Sequence, residues 1–330
     1  MEEERRCKLA SFLDVLPPVE YCIVYGSTLH SKIPNKPSMV DYIIGVSDPN
    51  MWHCENLKLN GDHYASLIAH VGGARLVNAV AENIGVGVHF NPFVTWNNKV
   101  HKYGVVSTHN LIQDLQNWNN FYLSGRLQKP VNLLVDNFEV RDANLVNLRA
   151  ALAAALLLLP AKFSQEDLYS QICSLSYMGD VRMLFAEDKR KVQKIVHGQY
   201  DLFELLYKPF LEEFQSLELL ELPSFNDRIK GLHQDTGLCA TRSLVGFLPP
   251  LVRSKLSKIL GEERLLGDPG KTGGVGIHSR IDAARYVEKI ISRRVMISSA
   301  RQAVSGLLAT GGFNAVRYLG NKMRKAWGSR

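Results

Sequence analysis

Two short stretches carry residues whose types and spacing suit phosphate chemistry. Tyr21-Cys-Ile-Val-Tyr-Gly-Ser27 is an apolar run closed by Gly26 and Ser27, and Met39-Val-Asp-Tyr-Ile-Ile-Gly-Val46 is a second apolar run that carries Asp41. Glycine lets backbone approach a phosphate closely, amides at a following helix start donate to anionic oxygens, and a serine hydroxyl adds a donor. A plain strand-to-helix turn has the same composition, so the pair gains meaning through Asp41. Asp is depleted in apolar strands, and a buried, unpaired carboxylate is costly. One partner is Mg2+, because phosphoryl and nucleotidyl transfer use carboxylate-held metal to neutralise charge and align the attack. The alternative partner is a Lys or Arg. Period-two geometry puts residue 43 on the same face as Asp41, and that residue is Ile43, not a second carboxylate. Asp48, just past the run, is the nearest substitute metal ligand, although Asp48-Pro49 also reads as a turn.

Cations that could meet a phosphate recur further along. Lys102 opens the run Lys102-Tyr-Gly-Val-Val-Ser107, where a solvated edge charge is the plainer reading. Gly125-Arg-Leu-Gln-Lys-Pro130 sets Arg126 and Lys129 three residues apart in a Gly/Pro-bounded segment, which suits an anion clamp. Asp180, Arg182, Asp188 and Lys189 either form salt-bridged helix faces or close the site from a second domain. Trp52-His53 and His63-Tyr64 lack metal-ligand spacing and read as core and hydrogen-bonded residues.

These residues need elements to hold them. Residues 1–16 read as a short helix ended by Pro17-Pro18. Strands are expected at 21–25, 39–46, 86–92, 102–107 and 131–135, with helical pieces over 52–80 and a helix over 111–123. Strands with intervening helices indicate an α/β domain over 1–140. Beyond it the pattern is helical, over 144–159, from a cap at Ser164-Gln-Glu-Asp167, and over 186–207. Residues 216–246 show no clear period. Residues 261–276 hold six glycines and read as a flexible connection. The expected organisation is therefore 1–140, a helical domain over 141–260, and a connection with a basic tail over 261–330.

The chain has 330 residues and a net charge of +7. From Gly276 to Arg330 there are eleven Lys or Arg against two acids, a local charge of +9, so the basic character belongs to that segment. Within it Val316, Leu319, Met323 and Trp327 recur at helical steps among basic residues, as an amphipathic helix on anionic lipid would. Docking on the protein's own core and nucleic-acid binding are the other readings of that segment. The longest apolar run, Ala150–Leu159, is too short to span a bilayer, which takes about 20 residues. Five cysteines without a CxxC pair read as reduced thiols of an intracellular protein.

Taken in order, Tyr25-Gly-Ser27, Met39-Val-Asp-Tyr-Ile43, Trp52-His53, His63-Tyr64, Phe90-Asn-Pro92, Lys102-Tyr-Gly-Val-Val-Ser107, Gly125-Arg-Leu-Gln-Lys-Pro130 and Leu175-Ser-Tyr-Met-Gly-Asp180 closely resemble the mitochondrial translocator assembly and maintenance protein family, from about Val19 to Tyr207. The resemblance implies a polymerase-β-like nucleotidyltransferase domain followed by a helical, winged-helix-like domain. It implies a phosphatidate cytidylyltransferase, with CTP and phosphatidic acid as substrates, Mg2+ as cofactor, and a role in cardiolipin synthesis. The implied location is the matrix side of the mitochondrial inner membrane, held peripherally through an anionic membrane surface met by residues 276–330, with no nucleic-acid partner. On this reading Gly26 and Ser27 hold the triphosphate and Asp41, with Asp48, holds Mg2+. Lys102, Arg126 and Lys129 neutralise phosphate charge, and Asp180, Arg182 and Lys189 complete the nucleotide site. A nucleotidyltransferase acting on RNA or a small molecule, and a non-catalytic membrane-associated assembly factor, are the rival functions.

Overall fold

The computed structural model describes residues 2–26, 39–64, 67–185, 190–222, 231–264 and 272–310. Helix α1 (Glu2–Ala10) and a 3-10 turn over Ser11–Val15 lead into β1 (Tyr21–Tyr25) and β2 (Val40–Val46). Helices α2 (Pro49–Leu59) and α3 (Leu67–Ala79) follow, then β3 (Val88–Trp96) and β4 (Lys99–Ser107), α4 (Thr108–Asn117), the short α5 (Ser124–Leu127) and β5 (Asn132–Val135). The strands form one five-stranded sheet in the order β3-β4-β2-β1-β5, parallel between β2 and β4 and antiparallel elsewhere. β3 and β4 run beyond the expected strands because Asn97 and Asn98 both take left-handed φ, 46° and 57°, and close a tight hairpin. Such a turn matches the right-handed twist of paired strands, and Asn tolerates the conformation.

Alternation along the strands gives the sheet two apolar faces. Tyr21, Ile23, Tyr25, Ile43, Phe90 and Val106 pack against Leu111 and Leu115 of α4, with Val140 and Ala143. Cys22, Val24, Tyr42, Ile44, Tyr103 and Val105 pack against Phe12 and Trp52. Beside the second face lies a buried polar layer. His53 Nδ1 meets the Tyr64 hydroxyl at 2.7 Å, Asn56 donates to the hydroxyls of Tyr64 and Tyr103, and His89 Nε2 lies 3.0 Å from Asn91 Oδ1. The histidines of Trp52-His53 and His63-Tyr64 are thus hydrogen-bonded in the fold, as expected.

This layer predicts acid sensitivity. Burial pushes His89 down to about 4 and His53 well below its ordinary value. A histidine kept neutral by the fold binds its proton more readily in the unfolded chain. Its contribution is therefore complete above pH ~6.5 and is lost as pH falls towards ~4, at a cost of about 3 kcal/mol for His89. His89→Phe should flatten that part of a urea-unfolding series between pH 7 and 4.5; an unchanged slope would refute the assignment.

Helix α6 (Phe138–Leu158), capped by the Asn137 side chain on Val140 N, joins the two halves. Its start packs under the sheet, and its Ala/Leu run forms the middle of a second, helical core. Around it lie α7 (Gln165–Leu175), α8 (Arg182–Phe185), α9 (Lys191–Gly198), α10 (Tyr200–Ser216), α11 (Leu238–Gly246), α12 (Pro250–Leu260) and α13 (Arg280–Thr310). α7 opens with the reciprocal Ser164/Asp167 capping box that its sequence announces. A small sheet of β6 (Lys162–Phe163), β8 (Leu232–Gln234) and β7 (Leu220–Glu221) completes this half.

Several expectations are corrected. The helix expected over 111–123 stops at Asn117, because Trp118 turns left-handed with φ 54°. The aperiodic 216–246 stretch contains β7, β8 and α11, elements too short to show a period. In the glycine-rich connection, β9 (Glu262–Arg264) and β10 (Thr272–Val275) pair antiparallel. Most consequentially, 280–310 is no free tail: Ala283, Val287, Ile291 and Val295 of α13 are buried in the helical core. The expected amphipathic stretch 314–327 lies outside the described residues. Among the described residues no helix is long and apolar enough to cross a membrane.

Candidate active site

The site lies at the end of the sheet where β1 stops and β2 begins. Antiparallel pairing sets Asp41 beside Tyr25, and parallel pairing sets it beside Lys102. Gly26 follows with φ 102°, and a Cβ there would stand 3.3 Å from Asp41 Oδ2. Both the backbone turn and the close carboxylate therefore call for glycine. Asp41 is neither deeply buried nor tightly paired. Lys102 Nζ lies 3.7 Å from its Oδ1, with the two side chains 20% and 22% exposed, and Lys102 also sits 4.3 Å above the Phe90 ring. Ile43, one pleat inward, is sealed in the core. Ser27 lies outside the described residues.

Asp48 is not part of this site. It lies beyond the opposite end of β2, about 20 Å along a strand that rises ~3.3 Å per residue. Its Oδ1 accepts from Asn50 N and Met51 N, making it the N-cap of α2. The expectation of a shared metal ligand is corrected accordingly. Asp48→Ala should cost about 1 kcal/mol of stability and leave the activity of the folded protein unchanged, as thermal melts and assays at matched folded fraction would show. A fall in activity with stability retained would restore Asp48 to the site.

The clamp residues arrive from α5 and its exit. Arg126 is held between two rings, 4.6 Å from that of Tyr25 and 4.9 Å from that of Tyr122, and donates to the Tyr122 hydroxyl at 3.1 Å. Its Nε and the Tyr25 hydroxyl are buried and find no hydrogen-bond partner among the described residues. Lys129 donates to the Gly125 carbonyl and to Ser176 Oγ and lies 5.3 Å from the Tyr177 ring. From the helical half, Arg182 lies 5.9 Å from the Tyr122 ring and pairs with the buried Asp180, Nε to Oδ1 at 3.0 Å. Lys191 lies 5.3 Å from the Tyr177 ring. The space these residues line, about 450 Å³ and open to solvent, is walled on one side by Val295, Ser298 and Ser299 of α13.

The electrostatics follow from this crowding. Burial acts to raise the Tyr122 phenol, but the charges of Arg126, Arg182 and Lys102 outweigh it and lower it to about 8. Lys129 is lowered to about 8, by burial first and then by the neighbouring charges of Arg126, Lys191 and Arg182. Cations held together against their own repulsion make a place where a polyanion is bound strongly. Of the residues singled out in the sequence, Gly26, Asp41, Lys102, Arg126, Lys129, Asp180 and Arg182 lie in this region. Lys189 lies outside the described residues. Tyr25, Tyr122, Tyr177, Lys191 and the α13 wall were missed, and only Tyr25, beside Gly26, offered a local signal.

Residues 9–325 match the family described as mitochondrial phosphatidate cytidylyltransferase. The chain belongs to the mitochondrial phosphatidate cytidylyltransferase family. Relatives of that name are 36% identical in Mus musculus, with 92% of this chain and 86% of the relative covered, and 36% identical in Bos taurus, with 92% and 89% covered. The relative in Schizosaccharomyces pombe is 33% identical over 99% of this chain and 86% of its own length. The match to the mitochondrial phosphatidate cytidylyltransferase family thus takes in the sheet, the cationic cleft and the helical half together.

Proposed function

We propose that this chain is a phosphatidate cytidylyltransferase, converting CTP and phosphatidic acid to CDP-diacylglycerol and pyrophosphate, and that its scaffold is a polymerase-β-like nucleotidyltransferase domain followed by a winged-helix-like one. The observation that carries the reading is the convergence of Arg126, Lys129 and Arg182 on one cleft, with Arg126 stacked on Tyr25, the strand neighbour of Asp41, in a chain of this family. A phosphate oxygen of phosphatidate attacks the α-phosphorus of CTP; the new P–O bond forms as the bond to pyrophosphate breaks. Phosphatidate is already anionic near neutrality, so no strong general base is required. The protein's work is positioning and charge stabilisation. Gly26 lets the backbone approach the triphosphate, with Ser27 as the next donor. Arg126, Lys129 and Arg182 neutralise the phosphates, and Arg126 Nε, which has no partner among the described residues, is a further donor. Lys102 guards the approach to Asp41.

Asp41 is the carboxylate we assign to hold Mg2+, a reading that its loose pairing with Lys102 supports. Mg2+, when bound, would supply charge neutralisation on the phosphates. Segment 27–38 contains no acid, and no group of three or more His, Cys, Asp or Glu suited to a metal occurs among the described residues. That donor set fits Mg2+ carried chiefly by substrate phosphates and water.

Peripheral attachment to the matrix side of the inner membrane belongs to the same reading. It is supported by the outward-facing Met296, Ile297, Val304, Leu307 and Leu308 of α13, and by the absence of any acidic residue after Glu288. The deciding test is an assay with labelled CTP, Mg2+ and liposomes containing phosphatidic acid, run beside RNA and soluble phosphomonoesters. Labelled CDP-diacylglycerol is the expected product. Label transfer to RNA or to a soluble acceptor alone would overturn the proposal.

A further inference from the structure

The loop between α4 and α5 separates two hollows. Phe121 and Tyr122 line the cationic cleft. Asn119, Asn120 and Leu123 line a second, solvent-open space together with Asp114. Asp114 does not border the cleft, yet it organises the whole loop. Its Oδ1 accepts from Asn120 N at 2.7 Å and Phe121 N at 2.9 Å, and its Oδ2 accepts from Leu123 N at 3.1 Å and Ser124 N at 3.0 Å. The loop needs this support, since Trp118 and Phe121 both take left-handed φ, 54° and 58°, which non-glycine residues adopt at a cost. Two further ties hold it from the back. Asn147 accepts from Trp118 Nε1 and Gln128 Nε2 and donates to the Ser124 carbonyl, and Arg294 of α13 donates to the Asn119 carbonyl.

We infer that Asp114 is a positioning residue for the phosphate-binding cations: by gathering four backbone N–H groups it fixes the start of α5, and so the placement of Tyr122, Arg126 and Lys129 in the cleft. This rests on the phosphate reading of the cleft proposed above. The chemistry is specific to a carboxylate. Two oxygens can accept four N–H donors; an amide of the same shape turns one of them into a donor aimed at two other donors. The loop must then shift, and shifts of about 1 Å at such groups cost up to ~100-fold in rate.

The test uses the full chain and inorganic tripolyphosphate as the probe, with binding measured by titration calorimetry and KM for CTP measured beside kcat. Asp114→Asn is expected to weaken tripolyphosphate binding by about tenfold or more and to raise KM for CTP in proportion. Leu244→Ala, in the helical core and lining neither hollow, should lower the melting temperature while keeping tripolyphosphate affinity. Arg294→Met removes the tie from α13 to the Asn119 carbonyl together with a charge that acts on Asp114, and should weaken binding in the same direction by about threefold; it decides the matter if Asp114→Asn does not fold. Wild-type affinity in Asp114→Asn, or in Arg294→Met if that variant decides, or an equal loss in Leu244→Ala, would overturn the inference. Failure of the unmodified chain to bind tripolyphosphate would instead overturn the phosphate reading of the cleft, and the role of Asp114 with it.

Discussion

Asp41→Asn is expected to reduce CDP-diacylglycerol formation by at least ~10³-fold, a loss of about 4 kcal/mol in the transition state, with the fold retained. The substitution keeps the shape of the side chain and removes its charge. Asp41 is partly exposed and its pairing with Lys102 is long, at 3.7 Å, so the stability at stake is within about 1 kcal/mol. The activity at stake is far larger. The neighbouring Ile43 is sealed in the core and Asp48 caps a helix at the other end of the strand, so neither can take over a metal. The change should also release Lys102 from its partner, which favours anion binding. CTP affinity in the absence of Mg2+ should therefore hold or rise while turnover collapses. Single-turnover conversion of labelled CTP, read with a thermal melt, separates these outcomes. Activity within tenfold of the parent at an unchanged melting temperature would sink the role given to Asp41.

Arg126→Ala should carry the second-largest effect, a fall of about 10²–10³-fold in kcat/KM for CTP, expressed mainly as a higher KM. The guanidinium lies between the rings of Tyr25 and Tyr122. Stacking on both sides holds its plane in place, so its donors are pre-aimed and little entropy is lost when a phosphate arrives. Lysine cannot reproduce that plane, and Arg126→Lys should recover only a small part of the loss. The change also takes away the strongest influence holding the Tyr122 phenol down, so Tyr122 should become harder to ionise. Steady-state kinetics with CTP varied at saturating phosphatidate measures the effect. A lysine variant equal to the parent would show that Arg126 acts as a charge alone, and the stacked arrangement would then have no part in binding.

The legible parts of this protein are those set by near neighbours along the chain. Continuous apolar runs mark β1 and β2, and the Ser164/Asp167 box marks the start of α7. Gly26 and Asp41 stand out because glycine at a strand end and a carboxylate in an apolar strand are each out of place unless something needs them. Asn97-Asn98, a pair of residues that tolerate left-handed backbone, carries the signal of the β3–β4 hairpin. Asp48 stands near Asp41 in sequence but far from it in space, because seven residues of extended strand cross the sheet from one end to the other.

The pairing of Gly26 with Asp41, the clamp spacing of Arg126 and Lys129, and the membership of one family are properties of the amino-acid order, since each rests on residue identity and short separations. The cleft is not such a property. Arg182 reaches Tyr122 only because α6 ties the helical half to the sheet, and Val295, Ser298 and Ser299 form a wall only because α13 packs back across more than a hundred residues of chain. Burial, which lowers Lys129 to about 8 and leaves Arg126 Nε without a partner among the described residues, exists only once those surfaces have met. The basic C-terminal segment shows the same division: its charge is written in its residues, but that Ala283, Val287, Ile291 and Val295 enter the core is a consequence of packing.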